Sequence, residues 1–193
     1  MPEALSIARS ELILGGQKSG KSRRAEMLAQ QWLGMAAHHR AVLIATAQPW
    51  DEEMRARIAR HQADRAQRVP GMQTLEEPLA LAQALTAHSQ PEVLLVVDCL
   101  TLWLTNGMMP MHPQADAVFE VESQVSALAA SIAMAPGPVV LVGNEIGMGV
   151  IPMGAEVRAF VDALGRLNQR VAQACARVTL MAAGLPLTLK DAP

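Results

Sequence analysis

The chain has 193 residues, 51% of them hydrophobic, enough to bury one substantial core and too few for two ordinary domains, so a single domain over 1–193 is expected. A formal charge of -2 and a pI near 6.2 exclude the strongly basic balance of a protein that neutralises nucleic-acid phosphates. The opening MPEALSIARS lacks a basic start before an apolar run, no stretch of about 18 apolar residues follows, and Cys99 and Cys175 alone make neither a disulfide framework nor a zinc site, so a soluble, cytoplasmic protein without a membrane span is expected.

A short apolar run at 11–14 predicts the first strand, and Gly15, Gly16, Gln17, Lys18, Ser19, Gly20, Lys21 and Ser22 follow it directly. These eight residues match Gly-x-x-x-x-Gly-Lys-Ser/Thr in a strand–loop–helix setting. Glycines let the backbone turn so that several N–H groups converge on phosphate oxygens at a helix N-terminus, where the dipole also favours an anion. Lys21 is then the residue that reaches the β- and γ-phosphates, and Ser22 the hydroxyl ligand of Mg2+.

A helix is predicted over 20–35, a strand over 41–45, and a second helix over 51–65 that starts with the acidic first turn of Asp51 and Glu53. Helical spacing puts Met54, Arg57, Ile58 and His61 on one side of it; on spacing alone His61 reads as a surface or core filler. The segment 71–78 reads as a loop and 78–88 as a helix. The run 93–97 predicts a buried strand that delivers Asp98 to the carboxyl edge of the sheet, either as a second Mg2+ anchor or as a cap of the next turn.

Residues 106–113, with three Met and two Pro, read as a loop; 114–135 as a helix; 139–142 as a strand. Beyond these lie a Gly-rich connection at 144–152, a helix over 155–176, a strand over 178–182 and an edge strand at 187–189. Arg158 and Asp162, four apart, are placed to pair with each other, and His38, His39, His88 and His112 read as solvated. The alternation is that of an α/β fold, a P-loop NTPase (RecA-like) with a mostly parallel sheet flanked by helices on both faces.

Taken together, the phosphate loop, Ala45-Thr46, Asp51 to Met54 and Arg57-Ile58-Ala59-Arg60-His61 resemble the bifunctional adenosylcobinamide kinase/adenosylcobinamide-phosphate guanylyltransferases. Asn144-Glu145-Ile146-Gly147-Met148-Gly149 with Pro152, then Arg158, Phe160, Asp162, Gly165, Asn168 and Gln169, resemble a second block of that family, so the likeness runs over about 12–190. Departures are Gln17-Lys18 in place of Ala-Arg, Gly143 where a hydroxyl residue is common, and Ala66 in place of Pro.

The resemblance implies that His61 is the residue that becomes guanylylated, an imidazole being a competent nucleophile toward an α-phosphorus near neutral pH. It also implies that Ala45, Thr46, Ala47, Gln62, Ala63, Asp64 and Arg65 line the guanine nucleotide site, with Glu76 and Asp98 as further contacts. Substrates would be ATP, GTP, adenosylcobinamide and its phosphate, and the assembly a homo-oligomer, a trimer, with the corrin ring in a groove shared between subunits. A monofunctional P-loop small-molecule kinase, in which His61 is structural, and a nucleotide-dependent switch that acts on a protein partner stay open as alternatives on the motif alone.

Overall fold

The computed structural model describes residues 5–111 and 119–192. Six strands run parallel: β1 (Ser10–Gly15), β2 (Arg40–Ala45), β3 (Gln73–Glu76), β4 (Val93–Asp98), β5 (Val139–Val142) and β6 (Arg177–Ala182). The seventh, β7 (Leu185–Asp191), is antiparallel on β6 and closes the order β3-β2-β4-β5-β1-β6-β7. Thus β5 lies between the strand that feeds the phosphate loop and the strand that ends in Asp98.

Strands β1, β4 and β5 are buried along almost their whole length, and alternate residues feed opposite sides of the sheet. Leu12, Leu14, Leu95, Val97 and Leu141 pack against α3 (Leu81–His88), α4 (Leu100–Met108), α5 (Val121–Met134) and α6 (Ala155–Ala174). Ile13, Leu94, Val96, Val140 and Val142 pack on the other side, against α1 (Lys21–Met35), whose Ala25, Leu28 and Ala29 are buried. Helix α2 (Glu52–Arg68) belongs to that side but buries no residue of its own.

Two elements depart from the reading of the sequence. The segment 71–78 is not wholly a loop, because Gln73–Glu76 adds an edge strand to β2; its single half-buried apolar residue, Leu75, leaves no period to read. The loop placed at 106–113 starts later than expected, because α4 carries on through Met108 on a face of Leu100, Trp103 and Leu104, all fully buried. Asn106 in that helix is a buried anchor, 5% exposed, and not a loop residue.

Helix α5 begins at Val121; the part of the expected helix at 114–118 lies outside the described residues, as do His112 and Pro113. The ring of His39 stacks on Trp32 with centroids 3.7 Å apart and its Nδ1 lies 2.8 Å from the Trp32 carbonyl, so this histidine is half-buried; His38 and His88 are exposed. The C-terminus of α6 is closed by Lys190 of β7, whose Nζ donates to the carbonyls of Ala172, Gln173 and Cys175 at 3.0, 3.1 and 2.5 Å.

Candidate active site

The phosphate loop connects β1 to α1, and two of its three glycines, Gly15 and Gly20, are sterically required. A side chain on Gly15 (φ 153°) would lie 2.5 Å from the Met181 carbonyl, and Gly20 holds φ 103° at the N-cap of α1. Gly16, Gln17 and Lys18 are exposed, Lys18 in the left-handed region at φ 57°. Ser19 is buried and its Oγ has no hydrogen-bond partner among the described residues, an open donor inside the turn that suits a phosphate oxygen. Lys21 Nζ folds back on the Gly16 carbonyl at 2.7 Å. Burial lowers its pKa from the ordinary lysine value and the Arg57 cation acts in the same direction, while the Asp98 carboxylate opposes both.

Register carries the next group of residues to the same edge. Ala45 is paired with Glu76 on one side and with Asp98 on the other, so Glu76, Ala45 and Asp98 stand in a row across the carboxyl ends of β3, β2 and β4. Glu76 is exposed, whereas the neighbouring Glu77 accepts hydrogen bonds from the backbone N–H groups of Leu79 and Ala80 at 2.9 and 2.7 Å and so starts α3. Knowing β3 is what separates the two; the sequence holds no other signal for it.

The Ser22 hydroxyl donates to the Asp98 carboxylate, and the charges of His61, Lys21 and Arg65 all act on it. Burial nevertheless raises the Asp98 pKa above the ordinary carboxylate value, those four groups lowering it by less. No group of three or more His, Cys, Asp or Glu that could hold a metal ion occurs among the described residues. One carboxylate and one hydroxyl fit Mg2+, which keeps several waters and takes its remaining ligands from substrate phosphates, and do not fit a metal held entirely by protein.

Helix α2 starts where the Asp51 side chain accepts from Met54 N at 2.7 Å, with Glu52 and Glu53 in its first turn and Arg65 and Arg68 in its last. His61 and Arg57 are exposed, and Met54 and Ile58 half-buried, so the stripe read from spacing is shallow. The C-terminal half is tied down by ions: Arg68 meets Glu26 at 3.1 Å and Asp64 at 3.3 Å, and Arg65 donates to Thr74 Oγ1 at 3.2 Å. Gln62 and Ala63 are exposed and Asp64 and Arg65 half-buried. The helix thus carries an accessible imidazole within electrostatic reach of the Asp98–Ser22 pair.

At the end of β2, Ala45 and Ala47 are half-buried, while Thr46 between them is fully buried and its hydroxyl is engaged with Cys99, donating to the carbonyl at 2.7 Å and accepting from the N–H at 2.8 Å. Sequence reasoning gave this hydroxyl no such task, nor Asn106 its hold on the Thr46 carbonyl at 2.8 Å. Cys99 and Cys175 are both buried, and burial pushes each thiol up to about 12, which leaves neither as a nucleophile.

The second motif block starts at the end of β5, next to β1. Glu145 N donates to the Gly15 carbonyl at 3.1 Å, Gly147 N donates to the Glu145 carboxylate at 2.8 Å, and Asn168 Nδ2 donates to the Asn144 carbonyl at 3.1 Å. Arg158 donates to the carbonyls of Pro152 and Met153, and no ion pair joins it to Asp162. Between the loop after β5, α6 and β7 lies a mostly apolar cavity of about 500 Å³ whose lining includes Glu145, Met148, Gly165, Gln169 and Leu189.

A family model described as cobinamide kinase / cobinamide phosphate guanyltransferase matches residues 11–189. The chain is 46% identical, over 95% of its length and 98% of the relative's, to the bifunctional adenosylcobalamin biosynthesis protein CobP of Pseudomonas aeruginosa. It is 35% identical to the bifunctional adenosylcobalamin biosynthesis protein CobU of Salmonella typhimurium (93% of this chain, 98% of that one) and 32% identical to that of Escherichia coli, with the same coverage. A solved structure from Pyrococcus horikoshii OT3 shares the fold at TM-score 0.53 and 10% identity, covering 97% of this chain and 88% of that one. With a phosphate loop, a helix-borne histidine and a second motif block all present, and with the match running nearly end to end, the chain belongs to the cobinamide kinase / cobinamide phosphate guanyltransferase family.

Proposed function

We propose that this chain phosphorylates adenosylcobinamide with ATP or GTP and then transfers GMP from GTP, through a guanylyl-His61 intermediate, to form adenosylcobinamide-GDP. The observation that carries the reading is an exposed imidazole on α2 within electrostatic reach of Asp98, the carboxylate that Ser22 and Lys21 also act on at the carboxyl edge of the sheet. A phosphate loop alone supports a kinase; a nucleophile facing it supports group transfer as well.

In the first reaction the loop N–H groups and Lys21 hold the β- and γ-phosphates, and the terminal hydroxyl of the acceptor's aminopropanol arm attacks the γ-phosphorus: an O–P bond forms, the bond to the β,γ-bridging oxygen breaks, the nucleoside diphosphate leaves and the hydroxyl proton passes to water. Ser22 and Asp98 are the residues that would hold Mg2+, which when bound supplies neutralisation of charge on the transferred phosphoryl group. In the second, an imidazole nitrogen of His61 attacks the α-phosphorus of GTP: a P–N bond forms and the P–O bond to pyrophosphate breaks. An oxygen of cobinamide phosphate then attacks the same phosphorus, the P–N bond breaks, and the imidazole is restored. Ala45, Thr46, Ala47, Gln62, Ala63, Asp64, Arg65 and Glu76 bound the space in which the guanine nucleotide lies.

The cavity beside α6 is assigned to the acceptor arm, since a volume of about 500 Å³ takes an arm but not a whole corrinoid, and Glu145 joins that cavity to Gly15 of the phosphate loop. We further infer one domain over 1–193, a cytoplasmic location and a homotrimer. Support for association comes from the largely exposed Val150, Ile151 and Met153 and from exposed Leu185, Leu187 and Leu189 on the edge strand. No helix among the described residues is long and apolar enough to cross a membrane.

The test is product analysis. With adenosylcobinamide, ATP, GTP and Mg2+, mass spectrometry should show cobinamide phosphate and then its GDP derivative; arrest at the phosphate would leave a monofunctional kinase.

A further inference from the structure

Asp98 is the last residue of β4, and the backbone that follows it is held from outside the strand. Thr46 alone makes three of these bonds: its N–H donates to the Asp98 carbonyl at 3.2 Å, its hydroxyl donates to the Cys99 carbonyl at 2.7 Å, and the same hydroxyl accepts from Cys99 N–H at 2.8 Å. Both polar groups of the residue after Asp98 are therefore satisfied by one fully buried side chain. Thr46 is fixed in turn by Asn106, whose Nδ2 donates to the Thr46 carbonyl at 2.8 Å and to the Pro78 carbonyl at 3.1 Å. That amide reaches across from α4 and is itself 5% exposed.

We propose that Thr46 and Asn106 are positioning residues that fix the Asp98 carboxylate beside Ser22, so that the side chain meets the metal–nucleotide complex in one orientation. A hydroxyl is suited to this because it donates and accepts at once, and a valine of nearly the same shape does neither. The carboxylate has little other support from neutral groups: the Ser22 hydroxyl is its side-chain hydrogen bond, and its other interactions are the longer-range charges of His61, Lys21 and Arg65. Without the Thr46 hydroxyl, Cys99 N–H loses its partner and the Cys99 carbonyl keeps only the bond from Trp103 N–H at 3.1 Å; the peptide after Asp98 is then held less firmly, and small rotations there move a carboxylate by fractions of an ångström, enough to spoil a magnesium ligand.

The inference rests on the reading of Asp98 as the metal anchor. Its test is the affinity for a fluorescent GTP analogue with and without Mg2+, measured on the parent chain and on Thr46→Val, Thr46→Ser, Asn106→Ala and Asp98→Asn, with Tm recorded for each. The expected result is that the gain in affinity on adding Mg2+ shrinks at least tenfold in Thr46→Val, shrinks about threefold or more in Asn106→Ala, and returns in Thr46→Ser. A lowered Tm in folded Thr46→Val with the full Mg2+ gain would make Thr46 structural only and overturn the proposal. Should Thr46→Val fail to fold, Asn106→Ala decides on the same criterion, since its bonds lie one residue further from Cys99. If Asp98→Asn also keeps the full gain, the metal role of Asp98 is what fails; if only Asp98→Asn loses it, the positioning role alone is wrong.

Discussion

Burial displaces the pKa values of Lys21, Arg65 and Asp98 at the nucleotide edge from their ordinary ones, and Asp98 has the clearest consequence. Because burial raises its pKa, the native state binds more protons than the unfolded chain between the ordinary carboxylate value and the raised one. Stability therefore falls as pH climbs through that window. Asp98→Asn cannot ionise and still accepts from Ser22, so without nucleotide or Mg2+ it should have a higher Tm than the parent at neutral pH. The difference should close below the ordinary carboxylate range; a lower Tm for the variant at neutral pH would contradict this. With GTP and Mg2+ the order should reverse, because only the parent gains ligand-linked stability. A residue further along, Gly143, presents the opposite case. A side chain built on it would come within 3.4 Å of Asn168 Oδ1, a buried oxygen with no hydrogen-bond partner, and 3.2 Å of a Leu14 methyl. Gly143→Ser should therefore stabilise by about 1 kcal/mol through that one bond, measured by urea unfolding; a loss would show that the Leu14 contact outweighs it.

Among the elements, α6 carries a glycine that its own packing does not require. Gly165 lies in the interior of Ala155–Ala174, faces the cavity, and a side chain there would meet nothing within 4 Å. An interior helical glycine costs about 0.5–1 kcal/mol relative to alanine, so the open space is kept at the expense of stability. Gly165→Leu is expected to hold or raise the Tm and to raise KM for adenosylcobinamide at least tenfold; an unchanged KM with the Tm held would remove the acceptor arm from that cavity. The elements also differ in how plainly they could be read from the chain. Buried parallel strands such as VLLVV and VVLV stand out as unbroken apolar runs, and α2 announces itself by its Asp51 cap and charged ends. Strand β3, QTLE, is a polar edge strand with one inward residue. Helix α4, LTLWLTNGM, is nine residues long, mixes Thr, Asn and Gly with its Leu and Trp residues, and follows an N-cap, Cys99, that makes no side-chain cap bond, so neither period nor boundary marks it. The site followed the same division. The phosphate loop and Asp98 were legible because local pattern carries their chemistry. His61, Glu76 and the Thr46–Asn106 pair depend on which strands and helices meet, and for His61 family resemblance supplied what spacing alone did not.

At the scale of the whole molecule, two motif blocks from opposite ends of the chain converge on one strand. β1 delivers the phosphate loop; the ends of β2, β3 and β4 lie to one side of it, and the Asn144–Gln169 block leaves the end of β5, the strand between β4 and β1, and is joined to the loop through the bond from Glu145 to Gly15. The arrangement suits a protein that first phosphorylates an acceptor and then needs a nucleophile within reach of a second nucleotide's α-phosphorus. On the proposed reading, His61 carries GMP between the two substrates. The most direct measurement is incubation of the protein with Mg2+ and α-labelled GTP in the absence of acceptor, followed by denaturation. The label is expected to stay on the chain, to be released by acid, to vanish in His61→Ala, and to move to cobinamide phosphate when that is added. Tight GTP binding without an adduct, or an adduct that persists in His61→Ala, would contradict the account.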